Sequence, residues 1–261
     1  MNISLKSKHA LVGGSSKGLG LAVAKQLAHS GAKVTIVARS ENLLIQTINE
    51  LQEETDCKHE YIVVDYNNHE KYKKVITEYI EKNTIDILVN NTQGPKAGDV
   101  NSVSIDDYQE SFDLLFKNIV FTSMLALEKM KKNNWGRIIN MVSVSVKEPL
   151  SYLALSNTIR SSVISWAKTL SNDIGNNNIT INNILTGYFG TERLRELNTE
   201  KAKKFNVKID ELYSTMKEQV PLKRTGEPKE FGFLVAFLAS DKASYINGTN
   251  IPIDGGLLKS I

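Results

Sequence analysis

Gly13-Gly14-Ser15-Ser16-Lys17-Gly18-Leu19-Gly20 is the stretch on which the fold turns. An apolar run, HALVG at 9–13, leads into it, and residues 18–30 leave it with the apolar spacing of a helix. A strand, a glycine-rich corner and a helix in that order open a βαβ unit. Each glycine has a physical use there. Gly14 permits the tight turn, Gly18 lets the backbone approach a phosphate, and Gly20 lets the helix pack closely on the sheet. The free N–H groups and positive dipole end at the start of the helix then suit a pyrophosphate.

Working outward, the same rhythm continues. Apolar, β-rich runs recur at 33–38, 60–64, 85–90, 136–142, 179–185 and 249–253, separated by helical patterns at 41–55, 69–82, 106–132, 152–175 and 228–239. Such alternation predicts an α/β fold of Rossmann type: a doubly wound, seven-stranded parallel sheet with helices on both faces. Residues 1–261 read as one dinucleotide-binding domain. Residues 187–226 break the rhythm with a polar, charge-rich helical insertion beyond the C-terminal edge of the sheet, where a helical lid is expected.

Bulk properties narrow the class. The formal net charge of +3 is small and dispersed, which argues against nucleic acid as a partner. No apolar run reaches membrane-span length, and MNISLKSKHALV enters a strand before a signal-type apolar segment forms. Cys57 is the only cysteine, so no internal disulfide forms, consistent with a cytoplasmic location. The histidines, His9, His29, His59 and His69, lack metal-ligand spacing, and no metal is expected.

The second strand ends at Ala38-Arg39-Ser40, the tip that meets the adenosine ribose in a dinucleotide fold. An acid there would accept from both ribose hydroxyls of NAD. Arg39 instead neutralises a 2′-phosphate, and Lys17 in the glycine corner adds a second positive charge. NADP(H) is therefore the expected cofactor.

Several separated motifs now fall in register. They are Gly14-x-x-x-Gly18-x-Gly20, Asp65-Tyr66 after the third strand, Asn90-Asn91-Thr92-Gln93-Gly94 after the fourth and Ser143 after the fifth. Thr186-Gly187, Thr191, Arg224-x-Gly-x-Pro228 and Ile253-Asp254-Gly255-Gly256 follow. Together they resemble the short-chain dehydrogenase/reductase family over nearly the whole chain. The resemblance implies a cofactor site of Gly14, Ser16, Lys17, Gly18, Leu19, Gly20, Arg39, Asp65, Tyr66, Asn91, Arg160, Gly187 and Thr191. Asp65 would meet the adenine amine, and Thr191 the nicotinamide carboxamide. It also implies a homotetramer, with apolar positions such as Phe121, Met124, Val163 and Trp166 on the paired long helices, and a small-molecule substrate.

The departures bear on the chemistry. Counting thirteen residues from Ser143 puts Ser156 at the family's tyrosine and Arg160 at its lysine, a register fixed by the following WAKTLSNDIG. The family's helical asparagine falls at Leu115; Asn118 lies nearly a helical turn away. A serine hydroxyl is a far weaker acid than a phenol, and Arg160 keeps its proton. The pattern resembles a divergent branch of 3-oxoacyl-carrier-protein reductase type. The first reading is an NADP(H)-dependent oxidoreductase for carbonyl/alcohol interconversion with a modified catalytic set of Ser143, Ser156, Arg160 and Tyr152. Tyr152 lies four residues before Ser156 and is the substitute proton donor; Tyr188 is a second candidate. The alternatives are a catalytically inactive nucleotide-binding sensor or scaffold, and a non-redox lyase or isomerase on the same fold.

Overall fold

Seven runs rich in Val, Ile and Leu become β1 (His9–Val12), β2 (Lys33–Ala38), β3 (Glu60–Val63), β4 (Ile87–Asn90), β5 (Gly136–Ser143), β6 (Ile179–Thr186) and β7 (Asn250–Ile253). The structure, a computed structural model, describes residues 2–260, the side chain of Lys204 excepted. All seven strands form one parallel sheet in the order β3-β2-β1-β4-β5-β6-β7. The order reverses beside β1, which opens a crevice at the carboxyl ends of β1 and β4. Central strands are buried along nearly their whole length, whereas edge strands β3 and β7 alternate or are partly open.

The helices cover both faces, as expected. One face packs under α1 (Gly18–His29), α2 (Glu41–Glu54) and α9 (Pro228–Leu238), the other under α3 (His69–Lys82), α5 (Asn118–Asn133) and α6 (Ala154–Ile174). A short helix, α4 (Ile105–Phe112), runs into α5 through a π-helical stretch, Asp113–Lys117, with Leu115 fully buried inside it. Ser104 and Asp107 close a capping box at the start of α4.

The face under α5 and α6 carries a polar row within the apolar core. Asn90, Asn140, Asn183 and Asn250 lie side by side on β4, β5, β6 and β7. Each Nδ2 donates to the next Oδ1 at 2.8 Å, always toward β7. Asn90 also donates to Ser123 of α5. Asn90, Asn140 and Asn183 are buried and Asn250 is exposed at the edge; the row satisfies the buried amides, whose burial would otherwise cost about 1–3 kcal/mol apiece.

The insertion at 187–226 contains two helices, α7 (Glu192–Phe205) and α8 (Ile209–Gln219). Its base is pinned where Phe189 and Gly226 pair as an isolated bridge: Gly190 N–H donates to Gly226 O and Gly226 N–H to Tyr188 O. Among the described residues no helix is long and apolar enough to cross a membrane, and no group of metal-binding side chains occurs.

Candidate active site

The glycine corner is held by two side chains, Ser15 and Asn91. Ser15 Oγ donates to Val12 O and accepts from Val37 N–H, tying the corner to β2. Asn91 Nδ2 reaches back from the end of β4 to the carbonyls of Gly13 and Gly14, both at 3.1 Å. Asn91 thus shapes the cradle that the resemblance has it share with a cofactor. Gly14 and Gly18 both have positive φ. A Cβ on Gly20 would stand 2.2 Å from Gly14 O, so this position admits no side chain. At Gly18 the space is open except for Thr191, 3.7 Å from where a Cβ would sit. The result is a backbone cradle at the N-terminus of α1, with no side-chain cap on the helix, a shape and polarity that fit a pyrophosphate. Ser16 and Leu19 are half-buried members of the same corner.

Around it the remaining candidates divide. Arg39 is exposed at the tip of β2. Asp65 follows β3, with its Oδ1 accepting from Asn67 N–H. The Tyr66 ring is buried against Tyr72 with ring centroids 4.8 Å apart, and its hydroxyl lies at the glycine corner, 2.8 Å from where a Cβ on Gly13 would sit. Lys17 does not stand free beside Arg39. Its ammonium pairs with Glu192 Oε2 of α7 and lies 3.6 Å from Glu196 Oε1. That pairing spans 175 residues and has no signature in the sequence.

The other end of the cleft is assembled from side chains. Ser143 ends β5 and its Oγ accepts from Ser145 N–H. Ser156 and Arg160 sit one turn apart on α6, and Arg160 Nε donates to Ser156 Oγ at 3.3 Å while its Nη1 donates to Met141 O at 2.8 Å. Burial pulls the Arg160 guanidinium down to about 10, with no carboxylate offsetting it. Leu115 offers no polar atom. Asn118 is committed elsewhere: it donates to Tyr66 O and pairs with the His69 ring, so it does not replace the missing asparagine.

Tyr152 stands between three elements. Its carbonyl accepts from Gly98 N–H, its neighbour Leu153 bridges Gly98, and the Lys201 ammonium of α7 lies 4.8 Å from its ring centroid. Burial, with Tyr188 close by, pushes the Tyr152 hydroxyl up to about 12; burial also raises Tyr188. The sequence gives no sign of Lys201, Glu192 or Glu196 at this site, because nothing local in α7 reveals what its faces meet. Thr191 accepts from Leu194 N–H and caps α7. Gly187 is required by packing, since a Cβ there would lie 2.6 Å from Asp254. A separate pocket of about 130 Å³ between Tyr188, Leu222, Arg224 and Asp254 includes none of Ser143, Ser156 or Arg160 in its lining.

The long-helix positions expected at a subunit contact pack largely on their own chain. Val163 is fully buried, Phe121 and Trp166 are partly buried against the core, and Met124 is the exposed exception.

Comparison with known proteins agrees with this geometry. A family model described as enoyl-(acyl carrier protein) reductase matches residues 14–258. The NADPH-dependent reductase BacG of Bacillus subtilis is 30% identical over 98% of this chain and 100% of its own length. The 3-oxoacyl-[acyl-carrier-protein] reductase FabG of Aquifex aeolicus is likewise 30% identical, over 98% of this chain and all of its own. Among solved structures, L-sorbose reductase from Gluconobacter frateurii complexed with NADPH and L-sorbose superposes with a TM-score of 0.93 at 27% identity, over all of both chains. The glycine corner, the strand order and these matches across nearly the full length lead to one conclusion: the chain belongs to the short-chain dehydrogenase/reductase family.

Proposed function

We propose that the protein is an NADPH-dependent carbonyl reductase with a rebuilt proton-delivery site. The observation that carries the reading is the Arg160–Ser156 pair. A buried guanidinium without a carboxylate donates to Ser156 Oγ, so the serine's own proton is directed away from it. That hydroxyl, with Ser143, holds the substrate carbonyl oxygen, and the guanidinium charge behind it stabilises the alkoxide as it develops. Arg160 also bonds the nicotinamide ribose. When bound, the reduced cofactor supplies the hydride that the carbonyl carbon accepts. Names of relatives that carry NADPH or reductase support the choice of cofactor, as do Arg39 and Lys17 at the adenosine end.

Tyr152 gives the proton. A phenol raised to about 12 is fully protonated at neutral pH, yet remains a much stronger acid than an alcohol, so it can protonate an alkoxide. The reverse reaction needs a phenolate, which this environment disfavours. The phenolate left after reduction is reprotonated from solvent, and the reverse reaction gains speed only as pH rises. The insertion at 187–226 acts as a lid, since α7 supplies Lys201 over Tyr152.

The test is to mix the protein with NADPH and a panel of activated ketones, quinones and 3-oxoacyl thioesters, following absorbance of the reduced nicotinamide. Consumption that disappears in Arg160→Met is the expected result. One observation favours a second reading, a nucleotide-binding sensor: Tyr152 and Tyr188, the candidate acids, are both shifted away from neutrality. Tight NADPH binding with no turnover across the panel would select it.

A further inference from the structure

The adenosine end of the cleft is wired to α7. Lys17 Nζ touches Glu192 and approaches Glu196, which lie four residues apart and so share one stripe of the helix. Thr191, which caps that helix, rests over Gly18 of the same corner. Arg39, by contrast, has no carboxylate partner among the described residues. Of the two cations assigned to the 2′-phosphate, one is open and one is already held by two carboxylates.

We infer that Glu192 and Glu196 are specificity-setting residues that couple the cofactor's 2′-phosphate to the lid. The inference rests on the reading of Lys17 as a phosphate ligand. A 2′-phosphate carries a charge of about −1.5 to −2 at neutral pH. A phosphate that bonds Lys17 competes with Glu192 for the ammonium's donors and, brought that close, repels both glutamates. NADP(H) therefore unlatches the first two turns of α7. NAD(H), which has a ribose hydroxyl at the same place, leaves the latch closed. The glutamates lower affinity for the phosphorylated cofactor and are indifferent to the other, and the coupling weakens with salt because all the groups are exposed.

The test uses the full chain and two adenosine-side probes without a nicotinamide, 2′,5′-ADP and 5′-AMP. Calorimetric titration of wild type and the double variant Glu192→Gln/Glu196→Gln gives the affinities. Hydrogen exchange of residues 192–205 reports the latch. We expect the double variant to bind 2′,5′-ADP about three- to tenfold more tightly and 5′-AMP unchanged. In wild type, 2′,5′-ADP speeds exchange at the start of α7 and 5′-AMP does not; in the variant exchange is fast from the outset. An unchanged affinity ratio, or an equal shift for both probes, overturns the coupling while leaving the cofactor assignment intact. Failure of wild type to prefer 2′,5′-ADP over 5′-AMP removes the phosphate reading itself, and the coupling with it.

Discussion

The two ends of the cleft are made of different material. At the glycine corner the groups proposed to face a ligand are backbone: N–H groups at the start of α1, a left-handed Gly14 and Gly18, and carbonyls anchored by Asn91. At the other end they are side chains drawn from β5, α6, the turn before α6 and α7. A backbone site tolerates any sequence that keeps its glycines. A side-chain site changes its chemistry with one substitution, and here Ser156 and Arg160 stand where the family resemblance implies a tyrosine and a lysine. The contrast teaches that cofactor binding and catalytic chemistry can diverge separately on one sheet.

Substitutions should separate the two ends. The largest effect is expected from Arg160→Met, which removes the charge bonded to Ser156 and leaves Met141 O without that donor. Reductase kcat/KM should fall by roughly 10³-fold, with NADPH affinity reduced far less. An equal loss in both would merge the two ends into one site. Tyr152→Phe keeps the ring under Lys201 and deletes only the hydroxyl; kcat should drop by about 100-fold. Full activity in that variant would remove Tyr152 from the mechanism.

At the backbone end, Gly20→Ala brings a methyl onto Gly14 O, a contact between rigid groups. An unfolding free energy lower by about 2–3 kcal/mol in denaturant titration is expected, with at least about tenfold weaker NADPH binding. Arg39→Ala is milder and more selective. NADPH should bind about tenfold less tightly and NADH as before, measured by fluorescence titration.

The smallest effect is an expected flatness. The proposed mechanism needs Tyr152 protonated and Arg160 charged, and both conditions hold from about pH 6 to about pH 9. Rates should fall only as pH rises through the range near 10, where the Arg160 guanidinium discharges. Oxidation of the corresponding alcohol should rise with alkalinity, as the Tyr152 phenolate forms toward 12. A neutral-pH inflection in a pH–rate profile would point to an unassigned acid.

What the sequence revealed follows the same division. All seven strands and the helices on both faces were legible, because periodicity and glycine placement are local properties. The identities of Ser143, Ser156 and Arg160 could be counted along the chain. Their mutual geometry could not, and neither could the partners of Lys17 and Tyr152. Glu192 lies 175 positions from Lys17, and nothing in ERLRELNTEKAKKF says which stripe of α7 meets the corner. For Tyr66 the place after Asp65 is legible in the sequence, whereas the packing of its ring on Tyr72 and the approach of its hydroxyl to Gly13 are not.

The asparagine row has a consequence beyond satisfying its own amides. Ser143, Thr186 and Ile253 each lie three residues past a member of the row, on β5, β6 and β7, and all three stand level in the sheet. Asn91 lies one residue past the member on β4. A slip of one residue in any of these strands would swing its amide to the opposite face and break the chain of donors. The row is thus a datum line drawn across four strands, about 10 Å below the cleft floor, from which the heights of the floor residues are set. Precision at the top of the sheet is guaranteed by a ruler embedded in its interior.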